Sequence, residues 1–222
     1  NGAMRIVAIR SRLFSMVRMP MDGHVLPKES GMEAIAAGRF NKVPMILGTN
    51  RDERRIYQAS DPRWLRVLAS DPDAYKLFAN YGSVAWKLRG VDAIAAAMHK
   101  SGHDAIYAYR FDWDEQGVVN GRDMSLAVGA GHSIEIPFVF GVDVNLQGPI
   151  ATTDDAARRA LSASMMSYWA NFAYTANPGK GRSGREVAWT PFSFKSGGTK
   201  RIIFDTSHGG GIRMSTDAIT HE

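Results

Sequence analysis

Short apolar runs alternate with amphipathic stretches along this chain. Residues 43–50, "VPMILGTN", form an apolar run bounded by turn residues, and they follow a helical pattern over residues 32–37 that stops near Gly38. Residues 104–113, "DAIYAYRFDW", are rich in aromatic and β-branched side chains, which is typical of a strand. Helical patterns that alternate with short, separated strands predict an α/β fold with a mostly parallel sheet flanked by helices.

Two Asp-Pro pairs predict where consecutive helices begin. The pairs at residues 61–62 and 71–72 each place a capping residue before a proline at the first helical position. The second of these helices is expected to end at Gly82, and a third is expected over about residues 91–100. Residues 115–131 contain four glycines and are expected to form a long loop.

The longest helix is expected to begin after residue 151. Thr152 or Thr153 is the expected N-cap, with acidic residues in the first turn, where they meet the positive end of the helix dipole. Apolar side chains at steps of three and four predict a stripe that faces the core: Leu161, Met165, Trp169 and Phe172. The segments at 187–194 and 200–206 are expected to be short peripheral strands.

Composition narrows the classes of protein. The chain has 222 residues, of which 45% are hydrophobic and 22% charged, so it can bury a sizeable core. It has no cysteine, which excludes disulfides, thiolate metal sites and a cysteine nucleophile. No apolar run approaches the ~20 residues of a membrane span, and no secretory signal is recognised. We therefore expect a soluble protein. A cytoplasmic location is the expectation, and any signal peptide would lie in a missing N-terminal part. Residues 1–3 are interpreted as a cloning remnant.

The net charge of +5 raises the question of nucleic-acid binding. Residues 1–19 form a basic N-terminal segment with four arginines, but these are spaced among apolar residues and no nucleic-acid motif accompanies them. A solvated basic face is the favoured interpretation, with no nucleic-acid partner. The remaining residues, 20–222, are interpreted as one region.

Two carboxylates follow the predicted strand at residues 43–50. Asp52 and Glu53 lie at its carboxyl end, where open α/β sheets carry functional groups. The alternative is a solvated, charged turn, because three arginines flank them: Arg51, Arg54 and Arg55.

One of the six histidines has unusual surroundings. His132 lies in "GAGHSIEIPFVFG", residues 129–141, after three small residues and before an apolar run that is expected to be buried. Such an imidazole can be oriented by a carboxylate on one nitrogen and remain open to a substrate on the other, or it can bind a backbone carbonyl in a purely structural role. The other five are expected to be exposed: His24, His99, His103, His208 and His221.

Five segments of the chain, taken in order, carry a family resemblance. They are "PMDGHVLP" (20–27), "AAGRFNKVPMILGTNRDE" (36–53), "GAGHSIEIPFVFG" (129–141), "YWANFAYTANPG" (168–179), and "WTPF" (189–192) followed by "IIFD" (202–205). Together they resemble the C-terminal part of the type B carboxylesterase and cholinesterase family, which has the α/β-hydrolase fold. The similarity covers nearly the whole chain from Pro20 onward.

This resemblance implies a carboxylic-ester hydrolase that acts on a small-molecule ester without a cofactor or a metal ion. It assigns Glu53 as the acid that orients the histidine and His132 as the general base and acid, in the order acid before histidine that α/β-hydrolases use. Glu135 matches a recurrent family acid with a supporting role. A non-catalytic interaction module with the same fold is the alternative, because fold alone does not give function.

The chain also departs from the family pattern. Arg54, Ser133 and Ala176 stand where the family favours glycine, and Arg54 is expected to compete with the histidine for Glu53. No G-x-S-x-G nucleophile elbow or glycine-rich oxyanion loop occurs in the sequence. We therefore expect a fold that is incomplete without an N-terminal half carrying the serine, an isolated chain that is inactive, and a sheet edge that favours homo-oligomers.

Aromatic residues outside these segments have two interpretations. They could line a pocket for an apolar substrate, but core or surface packing is favoured. The residues concerned are Trp64, Tyr75, Phe78, Trp86 and Trp113.

Overall fold

The computed structural model describes residues 21–145 and 148–217, so the basic segment at residues 1–19 and His221 lie outside the described residues. The helices are α1 (Gly31–Ala36), α2 (Arg55–Ala59), α3 (Pro62–Ser70), α4 (Pro72–Lys87), α5 (Ala93–Lys100), α6 (Met124–Ala127), α7 (Ile136–Phe140) and α8 (Asp155–Thr175), with a π-helical turn at Leu88–Asp92 and a 3₁₀ turn at Ser207–Gly209. The strands are β1 (Met45–Asn50), β2 (Ile106–Phe111), β3 (Val118–Val119), β4 (Arg122–Asp123), β5 (Val144–Asn145), β6 (Gly148–Pro149), β7 (Arg201–Phe204) and β8 (Arg213–Ser215).

A four-stranded sheet organises the fold in the order β1-β2-β7-β8. The first three strands are parallel and β8 is antiparallel to β7, which confirms the mostly parallel sheet with flanking helices. The expectation that β7 is peripheral is wrong. All four of its residues are buried, because β2 and β8 pair with its two edges and the α8 side chains Tyr168 and Trp169 pack on Phe204. In the described structure β1 has a strand on one side only, so its other edge is open.

The segment at residues 187–194 forms no strand beyond an isolated bridge between Gly179 and Trp189. Its role is packing instead. The Trp189 ring is 2% exposed, lies in the main core against Phe204, and donates from Nε1 to the carbonyl oxygen of Ala108 at 3.1 Å. This loop therefore covers one face of the sheet on the side of α8.

Helices α3 and α4 begin as the sequence predicts. The Asp61 side chain accepts a hydrogen bond from the Arg63 nitrogen, and the Asp71 side chain accepts one from the Ala74 nitrogen. Helix α4 does not end at Gly82, which corrects that expectation. Gly82 lies inside the helix, where a Cβ would come within 2.5 Å of the Arg54 side chain, so the glycine leaves room for that side chain.

Two other expectations are corrected, one about the N-cap of α8 and one about the loop at residues 115–131. Asp154, and neither threonine, caps α8, since its side chain accepts from the Ala157 nitrogen at 2.9 Å. Residues 115–131 are not an unstructured loop, because they contain the β3–β4 hairpin and helix α6. The predicted stripe on α8 is confirmed: Leu161 and Met165 are buried, and Trp169 and Phe172 pack partly buried against the same core.

Candidate active site

Glu53 and His132 meet at the carboxyl end of the sheet. Strand β1 ends at Asn50 and a turn carries Glu53, while His132 begins the turn that leads into α7. Glu53 Oε2 lies 2.7 Å from His132 Nδ1. Glu53 is 4% exposed and Asp52 is 7% exposed, so the alternative of a solvated charged turn is wrong for both carboxylates.

The Glu53 carboxylate is fixed by several donors. Its Oε1 accepts from the Asn50 backbone nitrogen at 2.8 Å and from the Thr49 hydroxyl at 3.2 Å, which leaves Oε2 for the imidazole. An ionised carboxylate only accepts hydrogen bonds, so Nδ1 is the donor in this contact, and in the neutral imidazole Nε2 is then the nitrogen that carries the lone pair. Within the described structure Nε2 makes no hydrogen bond, and the His132 side chain is 39% exposed. The arrangement can therefore accept a proton from a group placed at Nε2.

Asp52 holds the loop that precedes the histidine. Its carboxylate accepts from the Ala130 backbone nitrogen at 3.1 Å, and its own nitrogen donates to the Ala130 carbonyl oxygen at 2.9 Å. The same carboxylate pairs with Arg51 at 2.9 Å and with Arg55 at 3.0 Å. The neighbouring carboxylates thus contact different parts of one segment: Asp52 binds its backbone and Glu53 binds the imidazole.

Glu135 lies behind this pair. The Asn50 side-chain amide donates to Glu135 Oε2 and to the carbonyl oxygen of Gly131 at 2.6 Å, which ties the end of β1 to the histidine turn. Burial raises the pKa of Glu135, and the nearby charge of Glu53 acts in the same direction. Glu135 makes no direct hydrogen bond to His132 in the described structure, consistent with a supporting position.

Residues after His132 anchor the turn only in part. Pro137 and Phe138 are buried, but Phe140 is 72% exposed, which corrects the expectation that the whole apolar run is buried. The run forms helix α7, whose side chains point to different sides, so only one side faces the core. Ser133 adopts a φ of 70° and Ala176 a φ of 60°, so two of the positions where the family favours glycine have left-handed backbone.

Two aromatic side chains flank the imidazole. The Tyr57 ring is stacked on His132 with centroids 5.8 Å apart, and the Trp86 ring lies 5.1 Å away on α4. Sequence reasoning missed Tyr57, although its position four residues after Glu53 places it one helical turn further on. Burial and the charge of Glu53 raise the pKa of the Tyr57 hydroxyl.

The other aromatic residues divide between core and surface. Tyr75 and Trp113 are fully buried in the core, as favoured, whereas Trp64 and Phe78 pack with centroids 4.4 Å apart beside a surface cavity. Arg54 does not compete for Glu53. Its guanidinium lies 5.1 Å from the centre of the Tyr57 ring and makes no ion pair with a described residue.

The remaining histidines lie away from the site. His24, His99 and His208 are exposed, as expected, but His103 is 6% exposed and packs edge-on against Phe40, which corrects that prediction. His208 binds Asp154 at 3.0 Å. Across residues 21–145 and 148–217, no three acidic or histidine side chains converge as a metal site would require. Nor is any helix in these ranges long and apolar enough to cross a membrane.

Comparison with known proteins identifies the family. The model of the carboxylesterase family matches residues 69–215. The chain belongs to the carboxylesterase family. The matched range contains His132 and begins after Glu53.

Individual relatives within this family are longer than the chain. Para-nitrobenzyl esterase of Bacillus subtilis (strain 168) is 28% identical over 199 residues, which cover 78% of this chain and 37% of the relative. Carboxylesterase 5A of Canis lupus familiaris is 37% identical over 209 residues, covering 78% of this chain and 35% of the relative. Human cocaine esterase is 28% identical over 208 residues, which cover 78% of this chain and 36% of the relative. The chain thus spans little more than a third of these relatives.

Solved esterase structures share the fold. A carboxylesterase of Geobacillus stearothermophilus superposes with a TM-score of 0.65 at 21% identity, over 88% of this chain and 42% of the esterase. A PNB esterase structure gives a TM-score of 0.59 at 24% identity, over 88% of this chain and 40% of the esterase. The fold is therefore part of an α/β-hydrolase fold, as the motifs indicated.

Proposed function

We propose that this carboxylesterase-family chain supplies the acid and the histidine of a carboxylic-ester hydrolase, Glu53 and His132. The contact of 2.7 Å between Glu53 Oε2 and His132 Nδ1 is the observation that carries the proposal. In such a hydrolase the histidine accepts the proton of a serine as its oxygen attacks the ester carbonyl, and then returns that proton to the leaving alcohol. The His132 side chain is 39% exposed and its Nε2 makes no hydrogen bond in the described structure, so Nε2 is available for both transfers.

Glu53 acts through the histidine. By accepting from Nδ1 it holds one tautomer and stabilises the imidazolium that forms when Nε2 takes the proton. The carboxylate is 4% exposed, so water screens this attraction weakly. Its two further donors, at Asn50 and Thr49, keep the carboxylate from rotating away during the reaction.

The serine and the oxyanion donors come, in this proposal, from a complementary N-terminal half. The chain has no G-x-S-x-G sequence, and it covers little more than a third of its curated relatives. Strand β1, which leads directly to Glu53, has an open edge in the described structure. A further strand paired there would bring its own carboxyl end beside Glu53 and His132, because parallel strands end at the same edge of a sheet.

The substrate class is a small-molecule carboxylic ester. Relatives are named for esters as different as a para-nitrobenzyl ester and cocaine, which supports the ester bond as the shared target. By itself the chain should not turn over esters through a serine, because it lacks both nucleophile and oxyanion donors. A cytoplasmic location stays a prediction.

Ester turnover with and without the serine half tests this function. The purified 222-residue chain should show no phosphonate-sensitive hydrolysis of p-nitrophenyl acetate. A polypeptide that joins these residues to their N-terminal half should hydrolyse it, and a serine-reactive phosphonate should block the reaction. Failure of the joined polypeptide both to hydrolyse esters and to react with the phosphonate would favour the non-catalytic interaction module.

A further inference from the structure

A cavity of about 490 Å³ opens on the surface between α2, α3 and α4. Four aromatic rings line it, from Tyr57, Trp64, Phe78 and Tyr81. Phe78 is 60% exposed and Tyr81 is 66% exposed, so two large apolar rings face the solvent at this place. The volume lies within the range of small-molecule sites, and a planar ring bound there would remove this apolar surface from water.

The cavity lies next to the candidate active site, with the Tyr57 side chain between them. Tyr57 contributes to the wall of the cavity, and its ring is also stacked on His132, with centroids 5.8 Å apart. A ligand in the cavity would therefore lie one aromatic ring away from the imidazole.

The cavity also has a positively charged side chain in its wall. Arg54 lies in its wall, where Gly82 leaves room for the side chain, and it has no ion-pair partner among the described residues. The one carboxylate in the lining, Asp61, is already paired with Arg63 at 2.7 Å and caps α3. The cavity therefore carries an uncompensated positive charge beside its aromatic rings.

We propose that this cavity is a subsite for a planar aromatic arm of the substrate that carries a negative charge, with Arg54 as the residue that selects the charge. This rests on the proposed ester hydrolysis at His132. The rings supply apolar and stacking contacts, while the guanidinium supplies planar donors that match a carboxylate. A cationic arm is disfavoured because Arg54 already occupies a face of Tyr57 and repels a second cation.

Binding to the purified 222-residue chain tests the subsite without any catalysis. The probes are 2-naphthoate, the neutral 2-naphthylmethanol and the cationic 2-naphthylmethylammonium, each titrated by calorimetry. We expect 2-naphthoate to bind about fivefold or more tightly than the ammonium compound, the difference that about 1 kcal/mol from a partly exposed charge gives. A failed esterase assay would leave this result intact, and a failed binding assay would leave the hydrolase proposal intact.

Variants separate the charge from the rings. Arg54→Gln should bring the affinities for the anion and the cation to within about twofold, whereas Arg54→Lys, which keeps the charge, should retain the preference for 2-naphthoate. Phe78→Ala should weaken all three probes by about fivefold through lost ring contact. Leu77→Ala is the matched control, since Leu77 is 57% exposed on the same helix but lies outside the cavity lining.

Three results would overturn the subsite. The first is that 2-naphthoate does not bind the chain. The second is that Arg54→Gln keeps the preference for the anion, and the third is that Leu77→Ala weakens binding as much as Phe78→Ala does.

Discussion

The carboxylate of Glu53 and the imidazole of His132 are 79 positions apart in sequence and 2.7 Å apart in space. Their contact depends on two segments that arrive from different parts of the fold, the end of β1 and the turn before α7. The side chains that support these segments are therefore expected to affect catalysis as well as stability.

Asp52→Asn should destabilise the protein and disturb the histidine loop. The change replaces the carboxylate that binds the Ala130 nitrogen by a weaker, neutral amide acceptor and leaves Arg55, whose side chain is 13% exposed, without its ionic partner. We expect the free energy of unfolding in urea to fall by about 2 kcal/mol. In the serine-containing protein kcat should fall severalfold, and less than it falls for Glu53→Gln.

Asp73→Asn is the control for that change, because the Asp73 side chain is 97% exposed and has only a long contact with Lys76 at 3.9 Å. It should leave kcat unchanged and lower the free energy of unfolding by no more than about 0.5 kcal/mol, the effect of removing a first-turn carboxylate from α4. An Asp52 variant as stable as the Asp73 variant would show that Asp52 does not hold the loop.

Tyr57→Leu should lower kcat because the ring that stacks on His132 is lost. The loss is expected to be severalfold, since a stacked aromatic pair contributes about 1 kcal/mol. Tyr57→Phe keeps the ring and should behave like the wild-type protein. Equal losses in the two variants would assign the effect to the hydroxyl and contradict the stacking role.

Ala176→Gly should stabilise the protein. Ala176 ends α8 with a φ of 60°, a left-handed conformation that glycine adopts without strain. We expect the free energy of unfolding to rise by about 1 kcal/mol. Ala173→Gly is the matched control inside the same helix, where glycine should cost about 1 kcal/mol. The idea is wrong if both glycines destabilise equally.

Asp205→Asn should flatten the dependence of stability on pH. Burial, followed by the charges of Glu115 and Asp112, raises the pKa of Asp205 to about 6, so the folded protein binds this proton more tightly than the unfolded chain does. Stability is thus lost as the pH rises from about 4 to about 6, by up to about 3 kcal/mol. Urea unfolding between pH 4 and 7 measures this slope, which should shrink in the variant. An unchanged slope would mean that Asp205 does not titrate in this way.

Local signals in the sequence predicted much of the fold. The Asp-Pro pairs fix the starts of α3 and α4 because a side-chain cap and a proline act within one turn. The apolar run before Asn50 marks β1. The motifs around Glu53 and His132 predicted a shared site, and the two side chains are in contact, while their catalytic roles stay a prediction.

The features that the sequence did not predict depend on contacts between distant segments. Strand β7 is central because β2 and β8 pair with it, and nothing within residues 201–204 specifies those neighbours. Helix α4 continues through Gly82, and the space that a Cβ there would occupy is filled by the Arg54 side chain, from a position 28 residues earlier in the sequence. Tyr57 contacts His132 because α2 places it beside the histidine loop. Nothing in the local sequence specifies that contact.

The kcat of a double-mutant cycle at Glu53 and His132 tests the central claim most directly, measured with p-nitrophenyl acetate in the polypeptide that includes the serine half. We expect His132→Ala to lower kcat by about 10³-fold or more, Glu53→Gln to lower it somewhat less, and the double variant to be little worse than His132→Ala, because residues that act as a unit are not additive. KM should change little, since neither side chain is expected to bind the ester in its ground state. Near-normal turnover by His132→Ala, or losses at the two positions that simply multiply, would contradict the account.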